Sequence, residues 1–159
     1  MDVIEILKDD YQRFPVDQTY NIYAENVYFK DPLNEFRGIN RYKAMIGFMN
    51  SWFQNVKMDL HDIRREEDTI HTEWTLNWTT PLPWQPRIAI PGRSELKLNE
   101  QALIISHIDY WHCSRLDVVK QHFFPKEQTA RDKIKNGNKL GSIYSSDRLW
   151  VTLSVVKLH

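Results

Sequence analysis

The sequence predicts an α+β domain, in which helical segments cover one face of a curved, mostly antiparallel sheet. Three observations predict it. Ile70, Thr72, Trp74, Leu76 and Trp78 alternate with His71, Glu73, Thr75 and Asn77. Such period-2 alternation marks a strand with one apolar and one polar face. Ahead of it, apolar residues recur at helical spacing. Behind it come further alternating runs broken by turn residues. Helices first and strands afterwards is an α+β order, and it leaves a cone between helices and sheet.

Each element has its own signal. Val3, Leu7, Tyr11 and Phe14 step by three or four along one helical stripe, which Pro15 closes. Asp17 is placed to cap a short second helix ending near Ala24. Val27 to Asp31 reads as a short strand halted by Pro32, and Leu33 to Gly38 as a turn-bearing loop. Asn40 caps a third helix through Phe53, with Tyr42, Met45, Met49, Trp52 and Phe53 on its apolar face. Val56, Met58 and Leu60 then alternate with Lys57, Asp59 and His61, ahead of a charged turn at Arg64 to Asp68. Arg87 to Leu98 is a further strand, with Ile88, Ile90, Ser94, Leu96 and Leu98 on one face. Asn99-Glu100 marks a hairpin turn into the last strand, Ala102 to His112. Arg115 to Phe124 is a short helix closed by Pro125.

Composition narrows the function classes. The 159 residues carry no net charge, so nothing announces a nucleic-acid or anionic-membrane surface. No apolar run reaches the ~18 residues of a membrane span. The acidic, amphipathic N-terminus lacks the features of a signal or transit peptide. With one cysteine, Cys113, no intrachain disulfide forms. Together these predict a cytoplasmic protein. Charge is unevenly spread: residues 126–159 are net +4 and residues 1–125 net −4. The expected division is a cone domain over 1–125 and a basic C-terminal appendage over 126–159. Leu149 to Leu158 within the appendage reads either as packed tail or as a partner-binding strand.

Several runs also resemble a known superfamily. Tyr23-Ala24-Glu25-Asn26-Val27-Tyr28-Phe29-Lys30-Asp31-Pro32 resembles the Y-A-x-x-V-x-F-x-D-P run of nuclear-transport-factor-2-like domains. His107-Ile108-Asp109-Tyr110-Trp111-His112 resembles their last strand. The superfamily includes ketosteroid isomerase, SnoaL-type cyclases and limonene-epoxide hydrolase, all cone-shaped α+β folds. The runs FKDPLNEFRGINRY, WTLNW, GRSELKLN and HIDYWH look closest to an uncharacterised family of cyanobacteria and plastids. The resemblance implies a cone of three N-terminal helices on the sheet, and a homodimer through the sheet's outer face. It covers residues 1–125.

Candidate chemistry follows residue by residue. Asp31 stands where the resemblance to ketosteroid isomerase implies a general base, and Tyr11 where it implies an oxyanion donor. Asp31 before Pro32 equally fits a turn cap. The second acid of that enzyme, a protonated Asp in an apolar site, is replaced by Ser94. Asp109 matches a catalytic Asp of limonene-epoxide hydrolase, but Trp74 and Leu76 stand for the Arg and Asp it works with. Asp109 otherwise pairs with Arg93, Arg87 or His107. His107, Asp109 and Trp111 share strand parity, so a His–Asp pair able to shuttle protons is within reach. Trp52, Trp74, Trp78 and Trp111 form either a packed core or an aromatic pocket. Trp84, among prolines, marks a rim or an interface. No zinc spacing is present among the histidines, and no metal or cofactor is implied.

The expected pocket set is therefore Tyr11, Asp31, Trp52, Trp74, Trp78, Ser94, Asp109 and Trp111. The expected function is binding of a small apolar or amphipathic molecule, or of a protein partner, without a firm catalytic set. Two rivals stand beside it. One is an isomerase-, cyclase- or lyase-type enzyme using Asp31 or Asp109 as base. The other is an interaction module whose cone is filled by its own tryptophans.

Overall fold

The structure is a computed structural model and describes residues 2–124. The appendage expected at 126–159 and the strand expected within it lie outside the described residues.

Helix α1, Val3–Arg13, buries Val3, Leu7 and Asp10 on one stripe. The chain then turns through a single 3-10 turn, Tyr20–Ile22, into strand β1, Tyr23–Lys30. The helix expected from Asp17 to Ala24 thus shrinks to that turn. Asp17 is no cap: it adopts φ 50°, a left-handed conformation that a helix start excludes. Glu35–Arg37 forms β2, where only a loop was expected, because Tyr28, Phe29 and Lys30 offer it an antiparallel edge. Helix α2 spans Ile39–Trp52. Its N-cap is Gly38 rather than Asn40, and φ 104° there explains the glycine. Gly38 donates its N–H to the Val27 carbonyl, tying the helix start to β1.

Four long strands follow: β3 Gln54–Glu66, β4 Thr69–Thr79, β5 Arg87–Leu98 and β6 Ile104–Trp111. The turn between β3 and β4 is Glu67-Asp68, shorter than the charged run suggests, with Glu67 at φ 55°. The Asn99 side chain accepts from the N–H groups of Gln101 and Leu103, closing the loop from β5 to β6. Helix α3, Arg115–Phe123, starts on a capping box of Ser114 and Asp117. Two α-helices and a 3-10 turn therefore precede the long strands, and the third α-helix follows them. Among the described residues, no helix is long and apolar enough to cross a membrane.

The sheet order is β2-β1-β6-β5-β4-β3. All neighbours are antiparallel except β1 and β6, which run parallel. The sheet is mixed because the α2 crossover and the β3–β5 meander return the chain beside β1. The β4 alternation holds without a break: Ile70, Thr72, Trp74 and Trp78 are buried on the face toward the helices. Ile70 joins Val3, Leu7, Ile22, Val27, Leu96, Leu98 and Ile104 in a closed core under α1. Trp74, Leu76, Trp78, Ile88, Ile90 and Val118 form a second cluster toward the other end of the strands. Between these clusters and α2 the cone stays open.

This register yields a direct check. Leu76→Ala is expected to cost about 2 kcal/mol, the low end for such a truncation, because Leu76 borders open space rather than closed core. Thr75→Ala, on the opposite face and with its hydroxyl bonded to His61, is expected to cost under about 1 kcal/mol. Equal losses in a denaturant series would refute the register.

Candidate functional site

Residues from all six strands and all three helices line a cavity of about 900 Å³. Strand parity and cross-strand register determine its floor. Thr72 on β4 stands opposite Ser94 on β5, and Ser94 opposite Asp109 on β6. His107 and Trp111 flank Asp109 at two-residue spacing and so share its face. The α1 stripe adds Tyr11 from above. All eight residues of the expected pocket set line this cavity: Tyr11, Asp31, Trp52, Trp74, Trp78, Ser94, Asp109 and Trp111.

The polar groups of the floor are linked. Trp74 Nε1 donates to Ser94 Oγ at 2.7 Å, and Ser94 Oγ donates to Asp109 Oδ1 at 2.6 Å. His107 Nε2 lies 2.9 Å from the same Asp109 oxygen. Tyr11 Oη lies 2.9 Å from Thr72 Oγ1. Of the three partners weighed for Asp109, the structure selects His107. Arg93 instead pairs with Glu95 and lies over the Tyr110 ring, and Arg87 bonds Asn55 and Thr79. Burial pushes the Tyr11, Tyr23 and Tyr42 hydroxyls well up, so they stay neutral donors.

Asp31 lines the cavity but is largely spent locally. Its Oδ1 accepts from the Leu33 N–H at 2.7 Å and the Asn34 N–H at 2.6 Å, and the Asn34 amide reaches both its oxygens. That is the turn-capping arrangement of an Asp before a tight turn. Burial raises its pKa, and these hydrogen bonds oppose the rise.

The tryptophans divide by depth. Trp74 and Trp78 are buried in the wall, Trp111 is half-buried, and Trp52 is 55% exposed. The helical pattern of α2 placed Trp52 on an apolar face, yet that face ends at the cavity rim. Trp84 clasps α3: its Nε1 donates to the His122 carbonyl at 2.6 Å, and its ring meets Phe123 at 6.1 Å. His122 bonds Thr80 through Nε2 and the Val118 carbonyl through Nδ1, and burial lowers its pKa. Burial raises the pKa of the half-buried Cys113 thiol, away from a reactive thiolate. No cluster suited to a metal ion occurs among the described residues.

Sequence reasoning missed two features. His107 is boxed by the rings of Tyr23, Phe29 and Tyr42, at 5.3–6.3 Å. Its Nδ1 is buried without a partner, alone in this among the side chains of the described residues. The parity of His107 is legible in the sequence, but the box is not, since the expected second helix runs through Tyr23 to Ala24. The other feature is Gly92, where a Cβ would fall 2.5 Å from Trp74 Cη2 and 2.8 Å from the Tyr110 carbonyl oxygen. Gly92 lets the Trp74 indole lie against β5. A glycine inside a strand pattern is the signal that could have found it.

Comparison with known proteins places this geometry. A family model described as an uncharacterized conserved protein (DUF2358) matches residues 1–107. No curated protein is similar enough to count as a match. Among solved structures, an NTF2-like protein of unknown function from Exiguobacterium sp. 255-15 is 15% identical at TM-score 0.59, over 70% of this chain and 98% of that one. A SnoaL-like polyketide cyclase, so described on a provisional basis, from Jannaschia sp. CCS1 is 12% identical at TM-score 0.63, over 77% and 92%. An LEH-like epoxide hydrolase from M. tuberculosis is 15% identical at TM-score 0.58, over 74% and 84%. At such identities the likeness establishes the nuclear-transport-factor-2-like fold and leaves the chemistry to this chain's own residues.

Proposed function

We propose, from the premise that this chain belongs to the uncharacterized conserved protein family DUF2358, that its cone is a binding chamber for a small apolar or amphipathic molecule. The observation that carries the reading is the cavity of about 900 Å³. Small-molecule sites are concave, mostly apolar and carry a few placed polar groups, with volumes of roughly 300–1,000 Å³. Here tryptophan, phenylalanine and methionine side chains form the wall, and Tyr11, Ser94, His107 and Asp109 supply the polar groups. The tryptophans stand in the wall and at the rim, which speaks against a cone plugged by its own side chains.

The residues argue against the two chemistries of the resembled enzymes. Asp31 is committed to its turn, and Ser94 replaces the second acid of ketosteroid isomerase. Trp74 and Leu76 replace the Arg–Asp pair of limonene-epoxide hydrolase. The His107–Asp109 hydrogen bond favours one alternative, an isomerase-, cyclase- or lyase-type enzyme with Asp109 as base.

Native mass spectrometry of freshly purified protein is expected to show a retained small molecule, and an apolar dye such as Nile red to bind and be displaced by it. Absence of both would overturn the chamber. Turnover of a steroid or epoxide substrate that Asp31→Asn or Asp109→Asn abolishes would establish an enzyme instead.

The same proposal includes a homodimer through the outer sheet face. There His71, Glu73, Thr75 and Asn77 are half-buried, and Arg93, Tyr110 and Glu95 form a linked polar patch. Standard interfaces bury ~1,600 Å² and tolerate such polarity. Sedimentation at micromolar concentration is expected to give a dimer; a monomer alone would refute it.

A further inference from the structure

We propose that the molecule held in the cone is a lipophilic ammonium compound, with its apolar body in the aromatic chamber and its charged head on Asp109. This rests on the binding-chamber reading and adds the chemistry of the ligand's polar end.

The acids lining the cavity are not equivalent. Asp10 is occupied by the Thr19 N–H and hydroxyl and by Arg13. Asp31 is occupied by Asn34 and two backbone N–H groups. Glu35 is exposed and pairs with Lys30. Asp109 differs from all three. Both its hydrogen bonds, from Ser94 and with His107, fall on Oδ1. Oδ2 has no hydrogen-bond partner among the described residues. The side chain keeps 17% of its surface exposed, at a residue that lines the cavity.

Among the described residues, no lysine or arginine answers it. Arg93 and Arg87, its nearest candidates by sequence, are engaged elsewhere. Arg41 is the one lysine or arginine among the lining residues that are described, and it sits exposed in the first turn of α2. Its ionisable partner among the described residues is the His107 imidazole on Oδ1, which leaves Oδ2 unanswered in a site largely removed from water. An ammonium head would supply both the charge and the N–H donors that Oδ2 lacks. The surroundings suit the same head. Tyr11, Trp74 and Trp111 stand around the floor, and aromatic faces attract a desolvated cation. A fatty-acid-like anion would meet the opposite: its head would face Asp109 inside or reach only Arg41 at the rim.

The test is a calorimetric titration of the full chain, near neutral pH, with dodecylamine, 1-dodecanol and dodecanoate, each below its aggregation limit. The three share one tail and differ in the head. Dodecylamine is expected to bind about tenfold or more tightly than either of the others. Asp109→Asn is expected to reduce the amine to the level of the alcohol while alcohol binding persists, which also reports an intact cavity. Equal or tighter binding of dodecanol or dodecanoate would overturn the proposal and leave the chamber standing. So would an amine preference that survives Asp109→Asn. Binding of none of the three would overturn the chamber itself, and the proposal with it. If Asp109→Asn fails to fold, the ranking on the unaltered chain decides.

Discussion

Trp74→Ala is expected to lower folding stability by about 3–5 kcal/mol, a large share of a small domain's total. The indole is 2% exposed, sits over Gly92 and donates its N–H to Ser94. Truncation removes that apolar area and widens the chamber into the second core cluster. The urea midpoint should fall with little change in slope. A loss under about 1 kcal/mol would mean that the indole is not packed as described. A paired variant sharpens the check. Gly92→Ala is expected to cost about 1–3 kcal/mol by overpacking against Trp74 and the Tyr110 carbonyl. In the Trp74→Ala background that cost should shrink, since one of the two clashes is gone, giving a coupling of at least about 0.5 kcal/mol.

Asp10→Ala is expected to cost about 3 kcal/mol, for an electrostatic rather than a packing reason. Asp10 is 5% exposed and draws together Arg13 on its own helix and both the N–H and the hydroxyl of Thr19. Its carbonyl also accepts from the Gln18 amide at 3.0 Å. It thereby ties the end of α1 to the segment entering β1. Removing the carboxylate leaves the Thr19 N–H without its acceptor. Thermal or chemical unfolding measures the loss, and hydrogen exchange at Thr19 should speed up. A stability unchanged within about 0.5 kcal/mol would show that water replaces the carboxylate freely.

Neither residue was equally visible beforehand. Trp74 announced itself, because alternation alone assigns its face. Asp10 did not: it belongs to a run, Lys8-Asp9-Asp10, that reads as a solvated helix surface. Its burial depends on Thr19, nine residues on, after a turn whose geometry no periodicity encodes. The Asp17 to Ala24 segment failed for the same reason. A capping residue and suitable spacing permit a helix there, but pairing with β6 pulls Tyr23 onward into β1. Strand β2 was likewise hidden, since three residues show no periodicity and exist as a strand only beside β1. The eight residues expected of a pocket came from parity, helical spacing and resemblance; the structure sets them along one cavity, and their part in binding is a proposal.

Local pattern along the chain suffices for the α+β class, the faces of the long strands and the apolar stripe of α1. These follow from local steric periods of two and 3.6 residues, which neighbours along the chain suffice to set. Which polar groups meet is settled by the packing of strands and helices. The Ser94–Asp109 bond depends on the register of β5 against β6, and the Tyr11–Thr72 bond on how α1 lies across β4. The same packing decides that the tryptophans wall a cavity instead of filling it. A hydrogen bond needs its partners within about 3 Å, and packing leaves a void or closes it by a few ångströms. Distances of that order are set by the whole sheet and its helices together, and no local pattern carries them.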